Sequence, residues 1–339
     1  MPNIYDIAKF AGVSKTTVSK VINNLYGVKA ETRTKVLEAI KELNYFPNHA
    51  ARSLANRKTG VIGVVYNTFG MTFHVELSNF LQQYASENNY NLVFCNSRGD
   101  NATTLKHIDF LLSGSVDGII LYDYENRYSE ICIRLKELNF PLVVIENNLD
   151  GLNINKVLID NVEGARKAVN YLIDLGHKKI IHVARQDLTN SVPLERLNGY
   201  IKALYDNGLE FNTDYVIYCK LATKLEVEKA MDKLLNLKQK ASAIFFNDDI
   251  TAYRAKEYFI NKGYKIPEDF SLVGFDNISS FNYIPISEKL VSMGRPVQDM
   301  ANAAIEMLVN NINDRDKKPQ SIVFETTLVE GKSCLEIKE

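Results

Sequence analysis

Residues 3–23 read Asn3-Ile4-Tyr5-Asp6-Ile7-Ala8-Lys9-Phe10-Ala11-Gly12-Val13-Ser14-Lys15-Thr16-Thr17-Val18-Ser19-Lys20-Val21-Ile22-Asn23. Asn3 is placed to cap a helix, with Asp6 three residues on as its reciprocal partner. Ile4, Ile7, Ala8 and Ala11 then recur at helical spacing. Gly12 can take the left-handed conformation of a sharp turn. Ser14 follows as the cap of a second helix, Lys15 to Asn23. That helix turns Val18, Val21 and Ile22 inward and Lys15, Thr16, Ser19 and Lys20 to the opposite face. A third helix is expected through Val36, Ile40 and Leu43. Two short helices around an Ala-Gly turn, the second opened by small polar and basic residues, describe a helix-turn-helix. A major groove admits one such helix, and Lys and Thr reach base edges there. An ordinary helical hairpin fits the bare pattern too.

Charge points the same way. Residues 1–60 hold ten Lys/Arg and four Asp/Glu, a net of +6, while the remainder holds 30 and 37, a net of −7. A small basic head on an acidic body suits a head that meets a polyanion. The whole chain is 339 residues long, 46% hydrophobic and 24% charged, which predicts two or three globular domains. No apolar run approaches the ~20 residues of a membrane span. The N-terminus lacks a basic-then-apolar signal pattern, so a cytoplasmic protein is expected. Cys95, Cys132, Cys219 and Cys334 are far apart and read as reduced, buried thiols.

From Thr59 onward, short β-rich runs alternate with helical patterns of 10–16 residues. One set comprises 61–66, 92–95, 118–122 and 142–146. Another comprises 179–184, 216–219, 243–246 and 271–275. Alternating β and α units imply parallel sheets, and two sets imply two doubly wound lobes. Ligands of such folds lie at the carboxyl ends of the strands, here between the lobes.

Several stretches are more specific than these patterns. Tyr5-Asp6-Ile7-Ala8, Ala11-Gly12-Val13-Ser14, Thr17-Val18-Ser19-Lys20-Val21-Ile22-Asn23 and Leu43-Asn44-Tyr45-Phe46-Pro47-Asn48 closely resemble the headpiece of the lactose-repressor/galactose-repressor family. In the body, Asp160-Asn161-Val162-Glu163-Gly164-Ala165, Leu175-Gly176-His177-Lys178-Lys179-Ile180, Glu195-Arg196-Leu197-Asn198-Gly199-Tyr200, Ile266-Pro267-Glu268-Asp269 and Val273-Gly274-Phe275-Asp276-Asn277 extend the resemblance over nearly the whole chain. It implies a small all-α helix-turn-helix headpiece joined to an α/β body of two doubly wound parallel-sheet lobes of periplasmic-binding-protein type. It also implies a chain that crosses between lobes three times. The expected domains are a headpiece over 1–46, a hinge helix and linker over 47–58, and a body over 59–339. Within the body, one lobe takes about 59–161 plus 291–321 and the other 162–290 plus 322–339.

The resemblance also assigns roles. Lys15, Thr16 and Lys20 become base readers, within a DNA-contacting set that includes Thr17, Ser19 and Asn23. Lys20 stands where the family usually has Arg, and it lacks Arg's planar fork, so the preferred base does not carry over. Lys29 stands where the family usually caps the third helix with Ser, and Glu31 in the first turn offsets this through the helix dipole. Residues 48–56 read as a hinge that orders when two copies meet on DNA. Asn48 caps it, Ala51 allows close approach, and Leu54 matches the leucine that wedges into the minor groove.

A sugar needs planar donors, carboxylate acceptors and an aromatic face. Arg196, Asp276 and Asp249 match the family's effector positions; Phe73, His74 and Phe245 are the aromatic candidates. Asp248 is read as replacing the Asn that usually precedes the family's Asp. Together Asp248, Asp249 and Asp276 favour a neutral sugar over a strongly anionic ligand; Arg196 can still hold one anionic group, and a purine corepressor is the family's other option. Gly331 replaces a usual Arg. There is no G-x-S-x-G elbow, H-E-x-x-H, P-loop or G-x-G-x-x-G, and the five histidines form no cluster. The expectation is a homodimeric regulator that binds operator DNA and a small sugar-like effector, with no enzyme activity, no cofactor, no metal and no membrane.

Overall fold

The computed structural model describes residues 2–45, 58–66, 72–122, 129–149, 151–186, 191–238, 240–278 and 289–337. The chain divides into two compact units, Met1–Thr59 and Gly60–Glu339.

Among the described residues the first unit holds three helices, α1 Ile4–Ala11, α2 Lys15–Ile22 and α3 Ala30–Glu42. Local chemistry sets the ends of the first two. The Asn3 side chain accepts from the N–H of Tyr5 and Asp6, and the Asp6 carboxylate accepts from the Asn3 N–H at 2.8 Å. Gly12 ends α1 at φ 65°, where a side chain is disfavoured. Ser14 caps α2 by accepting from the Thr17 N–H at 3.1 Å. The second helix stops at Ile22, one residue short of the expected end, and Asn23 is its C-cap. Lys29 gives α3 no side-chain cap, and Glu31 instead pairs with Lys35 at 2.8 Å. Ile7, Ala8, Val18, Val21, Val36 and Ala39 form the buried core of this unit.

The body holds two six-stranded sheets. In chain order its elements are β1 Val61–Tyr66, α4 Thr72–Glu87, β2 Asn91–Asn96, α5 Asn101–Phe110, β3 Gly118–Tyr122, α6 Ser129–Glu137, β4 Leu142–Ile145, β5 Asn155–Ile159 and α7 Asn161–Asp174. Next come β6 Ile180–Arg185, α8 Ser191–Asp206, β7 Val216–Cys219, α9 Lys224–Leu235, β8 Ala243–Phe246, α10 Asp249–Asn261 and β9 Ser271–Asp276. The last are β10 Val291–Gly294, α11 Val297–Asn313, β11 Ser321–Phe324 and β12 Thr327–Val329. The first sheet runs β11-β5-β4-β3-β1-β2 and is parallel throughout. The second runs β12-β10-β9-β8-β6-β7, with only β12 antiparallel. Strands β3, β4, β8 and β9 are buried along their length, as continuous apolar runs covered on both faces should be.

The chain passes from the first sheet to the second lobe at Asp160, back at Arg295-Pro296, and across again at Glu325-Thr326. Two expected boundaries are corrected here: 322–324 were placed in the second lobe, yet as part of β11 they pair with β5 in the first sheet. Val291–Gly294 was placed in the first lobe, yet it pairs with β9 in the second sheet. Helix α11, just beyond, packs on α4, β3, β4 and β5 of the first lobe. Strands β5, β10, β11 and β12 were not anticipated; Asn155, Lys156, Ser292, Gly294 and Ser321 interrupt the apolar runs of the first three, and β12 has three residues. In the second lobe α7 lies close against α8. A Cβ on Gly199 would stand 2.2 Å from the Val162 carbonyl oxygen, so the contact requires glycine. One hydrophobic cluster joins the lobes, with Tyr66, Phe73 and Tyr122 from the first and Phe275 and Met293 from the second.

Candidate functional site

Two regions gather the candidate residues. In the headpiece, Lys15, Thr16 and Lys20 are exposed along α2 and Ser19 is half-buried beside them. Asn23 at the C-cap donates to the Ser19 hydroxyl at 3.4 Å. The Lys15 ammonium donates to the Tyr5 hydroxyl at 3.2 Å and lies 4.9 Å from the Tyr5 ring centre. Thr17 differs from its neighbours: its hydroxyl is 2.9 Å from that of Ser14 and its N–H is capped by it, so it serves the turn. Asn48, Ala51 and Leu54 lie outside the described residues.

In the body, the strand ends meet at a network of buried charges. Arg196, on α8, is 1% exposed. Its Nε donates to Asn161 Oδ1 at 3.0 Å, its Nη1 to the Asn247 carbonyl, and its Nη2 to Asp276 Oδ1 at 3.3 Å. The guanidinium carbon sits 3.7 Å from the Phe275 ring centre, a cation–π contact. Asp276 ends β9 and also accepts from Arg295, through Nε at 2.9 Å and Nη2 at 2.6 Å. Arg295 Nη1 then donates to Glu146 Oε1 at 2.5 Å, and the Tyr122 hydroxyl donates to Glu146 Oε2 at 2.7 Å. Phe73 lies under Arg295, its ring centre 4.4 Å from the guanidinium carbon. Four charges thus alternate from Arg196 to Glu146 and cancel. Buried ions of this kind persist only when paired and hydrogen-bonded. Glu146 at φ 62° and Asp276 at φ 101° both sit in backbone conformations that L residues rarely adopt.

Arg196, Asp276 and Phe73 therefore come together as expected. His74 is fully buried among first-lobe aromatics, with its ring centre 4.7 Å from that of Tyr122. Phe245 stacks on His182 at 4.9 Å, inside the second lobe's packing and away from the network. Asp249 is turned away too: its carboxylate accepts from the Ser292 hydroxyl at 2.7 Å and from the Ile278 N–H at 2.9 Å. The expected register was off by one residue. Asp248 is the N-cap of α10, accepting from the Thr251 N–H, and it pairs with Arg185 at 2.7 Å. Asn247, at the strand end just before it, is the residue beside Arg196. Its Oδ1 is buried and has no hydrogen-bond partner among the described residues.

These contacts remove the reason for expecting repulsion of anions. Asp276 faces two arginines and Asp248 faces one. Burial, then the neighbouring Asp276 charge, pushes the Asp249 carboxyl up to about 8, so at neutral pH it carries a proton. The sign of the linkage follows. The folded carboxyl keeps its proton where the unfolded one, near 3.8, has lost it. Stability present at acid pH is then lost as pH rises from about 4 to about 8. Asp249→Asn, which holds no titrating proton, should flatten that fall. Thermal unfolding of both proteins at intervals from pH 5 to 8 measures it; parallel curves would refute the assignment.

Sequence reasoning missed Glu146, Arg295, Asn161, Asn247 and Tyr122. One signal was available, because a strand end followed by an N-cap Asp fixes Asn247 as the residue facing the carboxyl edge. Among the described residues no group of three or more His, Cys, Asp or Glu is placed to hold a metal ion, and no helix is long and apolar enough to cross a membrane. Cys95, Cys132 and Cys219 are buried and Cys334 half-buried, all as free thiols.

A helix-turn-helix unit on a two-lobed body of parallel sheets defines a DNA-binding transcription regulator with a periplasmic-binding-protein-like body. Residues 3–48 match the family of bacterial regulatory proteins, lacI family, and residues 169–334 match the periplasmic binding protein-like domain. The repressor PurR of Mannheimia succiniciproducens is 32% identical over 99% of this chain and 100% of its own. The ribose operon repressor of Haemophilus influenzae is 31% identical, with both chains covered in full. The solved complex of the transcriptional regulator CelR with cellobiose is 27% identical, covers 98% of this chain and 100% of its own, and superposes with a TM-score of 0.73. This chain belongs to the LacI family and is a DNA-binding transcriptional repressor.

Proposed function

We propose that this repressor acts as a homodimer on a near-palindromic operator of a carbohydrate-utilisation operon, and that a small sugar-like effector held between its lobes sets the operator affinity. One headpiece contacts only a short half-site, which favours two copies on a two-fold operator. Lys15, Thr16, Ser19, Lys20 and Asn23 are the base-facing set, and Leu54 is the minor-groove wedge. The observation that carries the effector reading is the buried network at the strand ends. Arg196 and Asp276 supply fixed donors and acceptors beside the unsatisfied Asn247 amide, with Phe73 as the apolar face. Such convergence of polar groups at the strand ends of both lobes suits a polyhydroxylated ligand. The CelR–cellobiose complex and the ribose operon repressor are relatives whose names carry sugars, which supports the same reading. A thermal-shift screen over sugars, sugar phosphates and nucleobases tests it. A ligand specific to the folded state at 100 times its Kd adds about 2.7 kcal/mol of apparent stability. A purine in place of a sugar among the hits would reassign the effector class.

A further inference from the structure

We infer that the effector carries an acidic group, a carboxylate or a phosphate, which replaces Glu146 on Arg295; this rests on the cleft being the effector site. Arg295 stands on the crossing between β10 and α11, and its side chain is 6% exposed against 3% for Glu146. Its bonds to Asp276 lie on the second-lobe side, at the end of β9, and survive a parting of the lobes. Its bond to Glu146, at the end of β4, spans the two lobes. A molecule wedged between the lobes must break that one bond.

Once it breaks, the chemistry is asymmetric. A guanidinium does not deprotonate, and it sits against the Phe73 ring, shielded from water. A neutral hydroxyl in Glu146's place would leave part of its charge uncompensated, whereas an anion restores the pair. Glu146 also sits at φ 62°, with its N–H donating to the Val157 carbonyl at 2.9 Å, so its backbone is held in place independently of the Arg295 contact. Glu146 is thus a built-in stand-in for the ligand's acid.

The test is calorimetry on the full-length protein with glucuronate, galacturonate and glucose 6-phosphate, set against glucose and galactose. The acids should bind about tenfold or more tightly than their neutral parents, as charge-assisted bonds to arginine do. The uronates against the sugar phosphate decide which acid is meant. Glu146→Gln removes the competing carboxylate and should tighten the acids severalfold; Arg295→Gln should erase the preference for acids. The inference is overturned if neutral sugars bind as well as the acids, or if Glu146→Gln weakens binding, since Glu146 would then be holding sugar hydroxyls in the resting site. If none of these sugars binds but another class from the thermal-shift screen does, the acid falls and the cleft stands. If nothing binds, both fall.

Discussion

Deleting residues 1–58 should abolish operator binding and leave a folded body. Among the described residues, the headpiece core draws on the first unit alone, and the clusters of the body on residues from Val61 onward. Among the described residues, neither core shares a side chain with the other. The net charge of +6 leaves with the headpiece, and what remains carries −7, which repels phosphate. A specific complex is typically about a thousandfold or more tighter than non-specific binding, and the truncated protein should fall below even the non-specific level. Fluorescence anisotropy on a labelled operator measures the loss, and circular dichroism measures the fold. The intact protein should also weaken linearly on a log–log plot of affinity against salt. Operator affinity surviving in the truncated protein would place the DNA contacts in the body and undo the headpiece reading.

Arg196→Ala separates operator binding from effector response. The parent's operator affinity should change by about 5- to 150-fold across an effector titration, the usual span of allosteric coupling. The variant should bind operator and show no such change, because the donor fixed by Asn161, Asn247 and Asp276 is gone. It should also be less stable by about 3 kcal/mol, at the low end for breaking a buried ion pair. The low end applies because Asp276 keeps Arg295 at 2.6 Å and is not left unpaired. Urea unfolding reads the stability and anisotropy reads the response. A variant that follows effector as the parent does would move the effector site elsewhere.

Much of the headpiece was legible because its determinants are local. Asn3, Asp6, Gly12 and Ser14 act within three or four residues, and all four sit in the structure where the sequence placed them. Thr17 shows the limit: its position on the helix was readable, but its commitment to Ser14 needed the atoms. In the body, uninterrupted apolar strands such as β3, β4 and β8 stood out because they are covered on both faces. Short edge strands such as β12 did not, since three residues define no period.

By itself the sequence determined the headpiece helices with the caps of the first two, the alternation of strands and helices in the body, the basic head and the lactose-repressor resemblance. Arg196 and Asp276 came with that resemblance. Only the tertiary structure decided which charges face each other. Asp248 and Asp249 differ by one residue, yet one caps a helix beside Arg185 and the other is buried against Ser292. Arg295 and Glu146 are 149 residues apart and meet because three crossings bring both sets of strand ends to one place. Periodicity reports which face of an element is buried. It carries no information about a partner that only topology delivers, and ion pairing depends on that partner, falling away within a few ångströms once water can enter.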